Sequence, residues 1–166
     1  MSVILTRAKL AYSFVGRERM TKIHTINSKI LPYPAQHIWR VITDFGGYSE
    51  WWPSSLKITV LRVTRELIGS RVEVRPYGGQ SFICEVVSAI QHEELRMKYS
   101  GIYQGTGVWT IYENNEHCHV AYEIFLEVDN PWIRVLSSIL PVATIHSRLM
   151  NKVFSGLERY LADNSG

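Results

Sequence analysis

Polar and titratable side chains embedded in apolar patterns are where this sequence could do chemistry. His146 stands four residues after Val142 and three before Leu149, on the apolar side of a helical pattern. An imidazole there can hydrogen-bond a ligand carbonyl or act as a general acid or base. No partner carboxylate is identifiable beside it, and a core histidine satisfied by a neighbouring polar group is the plainer reading. Tyr99 and Tyr122 fall on inward strand positions, each an apolar ring whose polar tip could orient a ligand or reach the rim of a cavity. His117-Cys118-His119 places two imidazoles on one strand face, but that face also carries Glu123 and Glu127. A zinc site needs three or four ligands, and no other His/Cys pair at ligand spacing completes one, so a solvated outer face is expected and no metal. Asp44, at a helix–loop junction, reads as a cap of the following turn or as a catalytic carboxylate.

The aromatic set Tyr48, Trp51 and Trp52 lies in a loop region flanked by Gly46-Gly47 and Pro53. These rings could line or close a pocket mouth, or simply cap the core. No GxSxG, Walker-type loop, HExxH or dinucleotide fingerprint occurs, which removes the usual support for hydrolase, kinase and nicotinamide-enzyme readings. No cofactor is expected.

The elements that must position these residues are mostly strands. From Lys22 to Leu31 the even positions His24, Ile26, Ser28 and Ile30 alternate with Thr25, Asn27 and Lys29, the period of a strand with one wetter face. Pro32 and Pro34 stop it, and Ile38, Val41, Ile42 and Phe45 then recur at helical spacing. Six strands follow, Leu56 to Arg65, Ser70 to Arg75, Gln80 to Ile90, Glu94 to Ser100, Gly105 to Glu113 and His117 to Val128. Turns as short as Tyr77-Gly78-Gly79 and Asn114-Asn115-Glu116 make them an antiparallel meander with one buried face. Asn130-Pro131 opens a last helix reaching Leu161, with a kink or break expected at Pro141. This order has one economical packing, an α+β fold in which a curved antiparallel sheet of about seven strands grips the long C-terminal helix, with two short helices between strands 1 and 2. Strand parity and the helix stripe then predict a cavity between sheet and helix lined by Val74, Phe82, Cys84, Met97, Tyr99, Trp109, Tyr122, His146 and Met150.

Composition agrees with one such domain. The chain has 166 residues, 46% of them hydrophobic and 20% charged, with five Trp, nine Tyr and five Phe, so disorder is excluded and an aromatic-rich core is expected. A formal net charge of +3 without a basic stripe gives no reason to expect a nucleic-acid partner. Cys84 and Cys118, isolated within apolar strands, read as reduced core residues of a cytoplasmic protein. No run approaches the roughly 20 apolar residues of a membrane span. Residues 1–19 form an N-terminal extension apart from the domain at 20–163. Arg7, Lys9, Arg17 and Arg19 among apolar residues at helical spacing suit a peripheral membrane contact, a targeting peptide, an appended helix or upstream translation before Met20.

The segment Ile38-Trp39-Arg40-Val41-Ile42-Thr43-Asp44-Phe45, then Tyr48 and Trp51-Trp52-Pro53, resembles the helix–loop region of polyketide cyclase/dehydrase-like proteins of the START-like (SRPBCC, birch-pollen-allergen-like) superfamily. Phe82-Ile83-Cys84-Glu85-Val86, Glu94-Leu95-Arg96-Met97, the strand Gly105 to Ile111 and Leu157-Glu158-Arg159-Tyr160-Leu161 carry the likeness onward, over about Lys22 to Leu161. The resemblance implies a helix-grip fold with an apolar cavity. The superfamily holds lipid, sterol, quinone and hormone binders as well as cyclases, so it implies an apolar small-molecule partner without choosing a reaction.

Overall fold

The computed structural model describes residues 21–115, 117–128 and 142–164. The expected extension 1–19 and the helix start and kink expected between Asn130 and Pro141 lie outside the described residues.

The element order is β1 (Thr21–Leu31), α1 (Ala35–Thr43), a 3-10 turn (Phe45–Gly47), α2 (Tyr48–Trp51), β2 (Leu56–Arg62), β3 (Arg71–Pro76), β4 (Phe82–Ile90), β5 (Glu94–Gly101), β6 (Tyr103–Asn114), β7 (His117–Val128) and α3 (Val142–Asp163). All strands among the described residues join one antiparallel sheet in the order β1-β7-β6-β5-β4-β3-β2. The two strands flanking α1 and α2 in sequence are therefore the two edges of the sheet, and the short helices carry the chain from one edge to the other. Short turns make the meander between, two of them through non-glycine residues in the left-handed region, His92 at φ 65° and Asn115 at φ 54°.

Period-2 burial follows the expected parity. Val72 and Val74, Leu95, Met97 and Tyr99, and Val120, Tyr122, Ile124 and Leu126 are buried on one face, while most of their strand neighbours reach solvent. In β1 the buried face is the one carrying Thr25, and Ile26 and Ile30 are exposed at 59% and 62%. Composition misleads here because α3 lies over the odd positions. It places His146 against Thr25 (Oγ1 to Nδ1, 2.9 Å) and Glu158 against Lys29 (2.5 Å).

β2 ends at Arg62, short of the expected Arg65, because its register breaks between Val60 and Arg62 and the chain turns into a loop. Ser70 closes that loop, its hydroxyl receiving the Thr64 N–H at 2.9 Å. A second bulge in β4, between Val86 and Ser88, adds local bend to the sheet. Met150, Val153, Phe154, Leu157 and Leu161 form the buried stripe of α3 against the concave face. Helix and loop approach closely where Gly156 meets Trp51: a Cβ at 156 would overlap the Trp51 carbonyl oxygen.

Candidate functional site

At the end of the sheet nearer the α3 N-terminus the helix and strands part, leaving a cavity of about 240 Å3. Val72 and Val74 of β3, Phe82 and Cys84 of β4, and Met97 and Tyr99 of β5 form one wall. Tyr122, Ile124 and Leu126 of β7 with Ile23 of β1 form the other, and Ile145, His146, Leu149 and Met150 of α3 close the top. Tyr48, Trp52, Leu56, Pro76 and Tyr103 complete it, and half-exposed Ile145 lies at its rim. No Lys, Arg, Asp or Glu lines this space among the described residues.

Ten expected site residues, Tyr48, Trp52, Val74, Phe82, Cys84, Met97, Tyr99, Tyr122, His146 and Met150, are on the wall. Trp51 and Trp109 are not. Trp109 is fully buried one step along the sheet, tilted against Tyr122 with ring centroids 4.6 Å apart and edge-on to Phe154 at 5.6 Å, so it plugs the core beyond the cavity. Parity correctly turns it inward but cannot say where along the strand the space ends. Trp51 is sealed beneath α3, edge-on to Tyr48 and Trp52. Tyr48 is itself core, its hydroxyl donating to the Ile42 carbonyl at 2.5 Å, and Trp52 stacks on it at 5.0 Å. The three rings are thus one packed cluster of which Trp52 is the least buried member. Sequence reasoning missed Val72, Ile124 and Leu126, which share the parity of residues it named. It also missed Ile23, Leu56, Pro76, Tyr103, Ile145 and Leu149, which the curl of the sheet and the seating of the helix bring in.

Three polar groups meet inside. The Tyr99 and Tyr122 hydroxyls hydrogen-bond each other, and Tyr99 also bonds the Cys84 thiol. Gly107 on β6, between them, makes this possible: a Cβ there would lie 2.6 Å from Tyr99 Cε2 and collide with the Tyr122 hydroxyl. Burial pushes both phenols well above the usual tyrosine range and raises the Cys84 thiol to about 12, so all three keep their protons. His146 sits at the helix side, bonded to Thr25, and burial lowers its pKa to about 4, leaving a neutral imidazole at physiological pH.

The other candidates lie elsewhere. Asp44 accepts the Gly47 N–H at 3.3 Å, the capping role. It borders a separate polar pocket with His37, Arg40 and Tyr160. His117 and His119 are exposed on the outer face of β7, and no group of three His, Cys, Asp or Glu among the described residues could hold a metal ion. Cys84 and Cys118 are free and buried. No described helix is long and apolar enough to cross a membrane.

An antiparallel sheet gripping a C-terminal helix over an uncharged cavity defines a hydrophobic-ligand-binding fold of the START-like, helix-grip class. Residues 31–151 match the family described as polyketide cyclase / dehydrase and lipid transport, and the chain belongs to that family. A search of curated proteins finds no match. Among solved structures, a protein from Thermus thermophilus is similar over 87% of this chain and all of its own (TM-score 0.70, 15% identity). A START superfamily protein from Mycobacterium smegmatis matches over 84% and 97% (TM-score 0.66, 15% identity). The di-domain ARO/CYC StfQ from the steffimycin biosynthetic pathway matches over 87% of this chain and 52% of its own (TM-score 0.69, 7% identity). At these identities the likeness is one of fold.

Proposed function

We propose that this protein binds a neutral, apolar small molecule, such as a lipid, isoprenoid or aromatic polyketide-like compound, and serves as a carrier, sensor or storage module in the cytoplasm. The observation that carries this reading is a cavity without a charged residue on its described wall. An ionised ligand there would lose its hydration without gaining a counter-charge, a penalty of several kcal/mol, on the order of that for any unpaired buried ion. An apolar ligand gains roughly 25 cal/mol for each Å2 it removes from water. The ten expected residues on that wall are proposed as ligand contacts. Two buried free thiols support the cytoplasmic placement, because such cysteines persist unpaired most readily in a reducing compartment.

One observation favours a second reading, a cyclase or dehydratase: His146 and the tyrosine pair share one cavity. Proton transfer near neutral pH works best when donor and acceptor titrate close to that pH. Here the imidazole is a weak base and the phenols are weak acids, so burial moves both away from that optimum. The binding reading is therefore preferred.

Native mass spectrometry of the purified protein, with organic extraction, tests it. An apolar molecule should travel with the chain, and Tyr99→Phe or His146→Gln should change its affinity only several-fold, the size of one lost neutral hydrogen bond. A loss of turnover of roughly a hundredfold or more in either variant, with binding retained, would replace the carrier reading with the enzyme one.

A further inference from the structure

Cations without partners gather around the open side of the cavity, although none lines it. The cavity meets solvent where half-buried Trp52, Leu56, Pro76 and Leu149 line it beside exposed Ile145. On α3, Ile145, Arg148, Lys152 and Arg159 fall within a sector of about 60°, and all four are exposed. That sector faces the loop after α2, because Gly156 beside it is where the helix meets the Trp51 carbonyl. Lys152 and Arg159 border an outer pocket with Ser54 and Asn151, and Trp52 lines both that pocket and the cavity. From the sheet, Leu56 and Pro76 reach the cavity at the paired ends of β2 and β3, and their neighbours Lys57 and Arg75 are direct cross-strand partners on the outer face. Like charges placed opposite each other in this way destabilise a strand pair. None of these five cations makes an ion pair among the described residues. Glu73, diagonal to Lys57, and Glu50, which borders the outer pocket and bonds Tyr160, offset part of the charge. The same rim exposes apolar surface, Ile145 at 50% and Tyr77 at 94%. Tyr77 is fixed there by its backbone N–H, which donates to the Ser55 carbonyl at 2.8 Å.

We propose that this mouth docks on an anionic membrane surface, with Lys57, Arg75, Arg148, Lys152 and Arg159 over lipid phosphates and Tyr77 and Ile145 in the headgroup layer. A bilayer matches both parts of the rim: anionic headgroups answer the unpaired cations, and the layer beneath takes the exposed apolar side chains, tyrosine being one that favours that depth. A nucleic acid backbone answers the charges but offers Ile145 nothing. Each Lys or Arg close to such a surface strengthens binding roughly fivefold, so the contact weakens with salt and stepwise as charges are removed. The docking stands on the rim itself. Its use, passing an apolar ligand between bilayer and cavity without crossing water, rests on the binding reading above.

Flotation of the full chain with vesicles of phosphatidylcholine, with and without one third phosphatidylserine, tests the surface. Binding should need phosphatidylserine and fall with added salt. Arg148→Gln/Lys152→Gln should weaken it roughly 25-fold with the melting temperature unchanged, whereas Arg7→Gln/Lys9→Gln, in the basic extension, should matter less. Both native cysteines are buried, so a polarity-sensitive fluorophore can be placed through Tyr77→Cys or, as a control near the far end of β6, through Tyr112→Cys. On the vesicles the first should shift to the blue and the second should not. Equal binding to both vesicles, binding that depends on the extension's charges and not on those of α3, or an unmoved fluorophore at position 77 would overturn the docking surface. Tighter binding to a DNA duplex than to the vesicles would assign the cations to a nucleic acid instead. The cavity reading fails separately. A protein that takes up the hydrocarbon 2-isopropenylnaphthalene in solution but ignores vesicles keeps its cavity and loses the docking surface, and one that docks through Tyr77 but takes up no hydrocarbon keeps the surface and loses the ligand-transfer role.

Discussion

His146 faces a cavity from the third helix, hydrogen-bonds Thr25 across to the first strand and has no ion partner among the described residues. Its environment has a direct thermodynamic consequence. The unfolded chain takes up the imidazole proton near pH 6.5, the folded protein only near pH 4. Between those values the unfolded state binds more protons, so the neutral imidazole's share of stability is complete above pH 6.5 and is lost as pH falls toward 4. At about 1.4 kcal/mol per pH unit this amounts to at most ~3.5 kcal/mol. Urea unfolding of wild type and His146→Gln across that window should show wild type losing more, and parallel curves would show that the imidazole is not desolvated. The sequence placed this histidine on the apolar side of a helix and left a hydrogen-bonded core imidazole and a ligand contact both open; in the fold it is half-buried, bonded to Thr25 and on the cavity wall. Its partner was not legible, because Thr25 lies 121 positions away and only the seating of helix on strand joins them.

The elements that hold the site were legible to the extent that alternation is local. Strand faces in β3, β5 and β7 follow directly from residue type. The inward face of β1 does not, because its exposed side carries two isoleucines while its inward side, between buried Ile23 and Leu31, carries a threonine, an asparagine and a lysine. What decides that face is α3, whose Glu158 meets Lys29 and whose His146 meets Thr25. Trp109 shows the other limit: parity turns it inward, yet the cavity stops at Tyr122 and the indole is plain core. The seating of α3 depends on Gly156, where the helix backbone passes the Trp51 carbonyl without room for a methyl group. Gly156→Ala would raise intrinsic helix propensity by about 1 kcal/mol. The clash is with backbone and forces the helix outward, a cost of typically 1–3 kcal/mol, and it should dominate. A melting temperature lowered by a few degrees is expected. An unchanged or raised value would mean that helix and loop are not in contact there.

At the largest scale, the described residues form one sheet, one long helix and two short helices between the sheet's edge strands, with a gap at one end and a solid aromatic core at the other. The architecture was readable because six strands with short turns and a terminal helix have few ways to bury their apolar faces. The depth and mouth of the gap were not, since Leu56, Pro76, Tyr103 and Ile145 reach it from strand ends, a loop and the start of the helix. The central claim, that this gap is where an apolar ligand resides, can be read from two methionines. The sequence has four, and Met97 and Met150 face each other's side of the cavity from sheet and helix. Methyl-labelled methionine NMR during titration with 2-isopropenylnaphthalene should show saturable shifts of both the Met97 and Met150 methyl resonances with one shared Kd. Saturable binding that leaves both resonances unmoved would contradict the account.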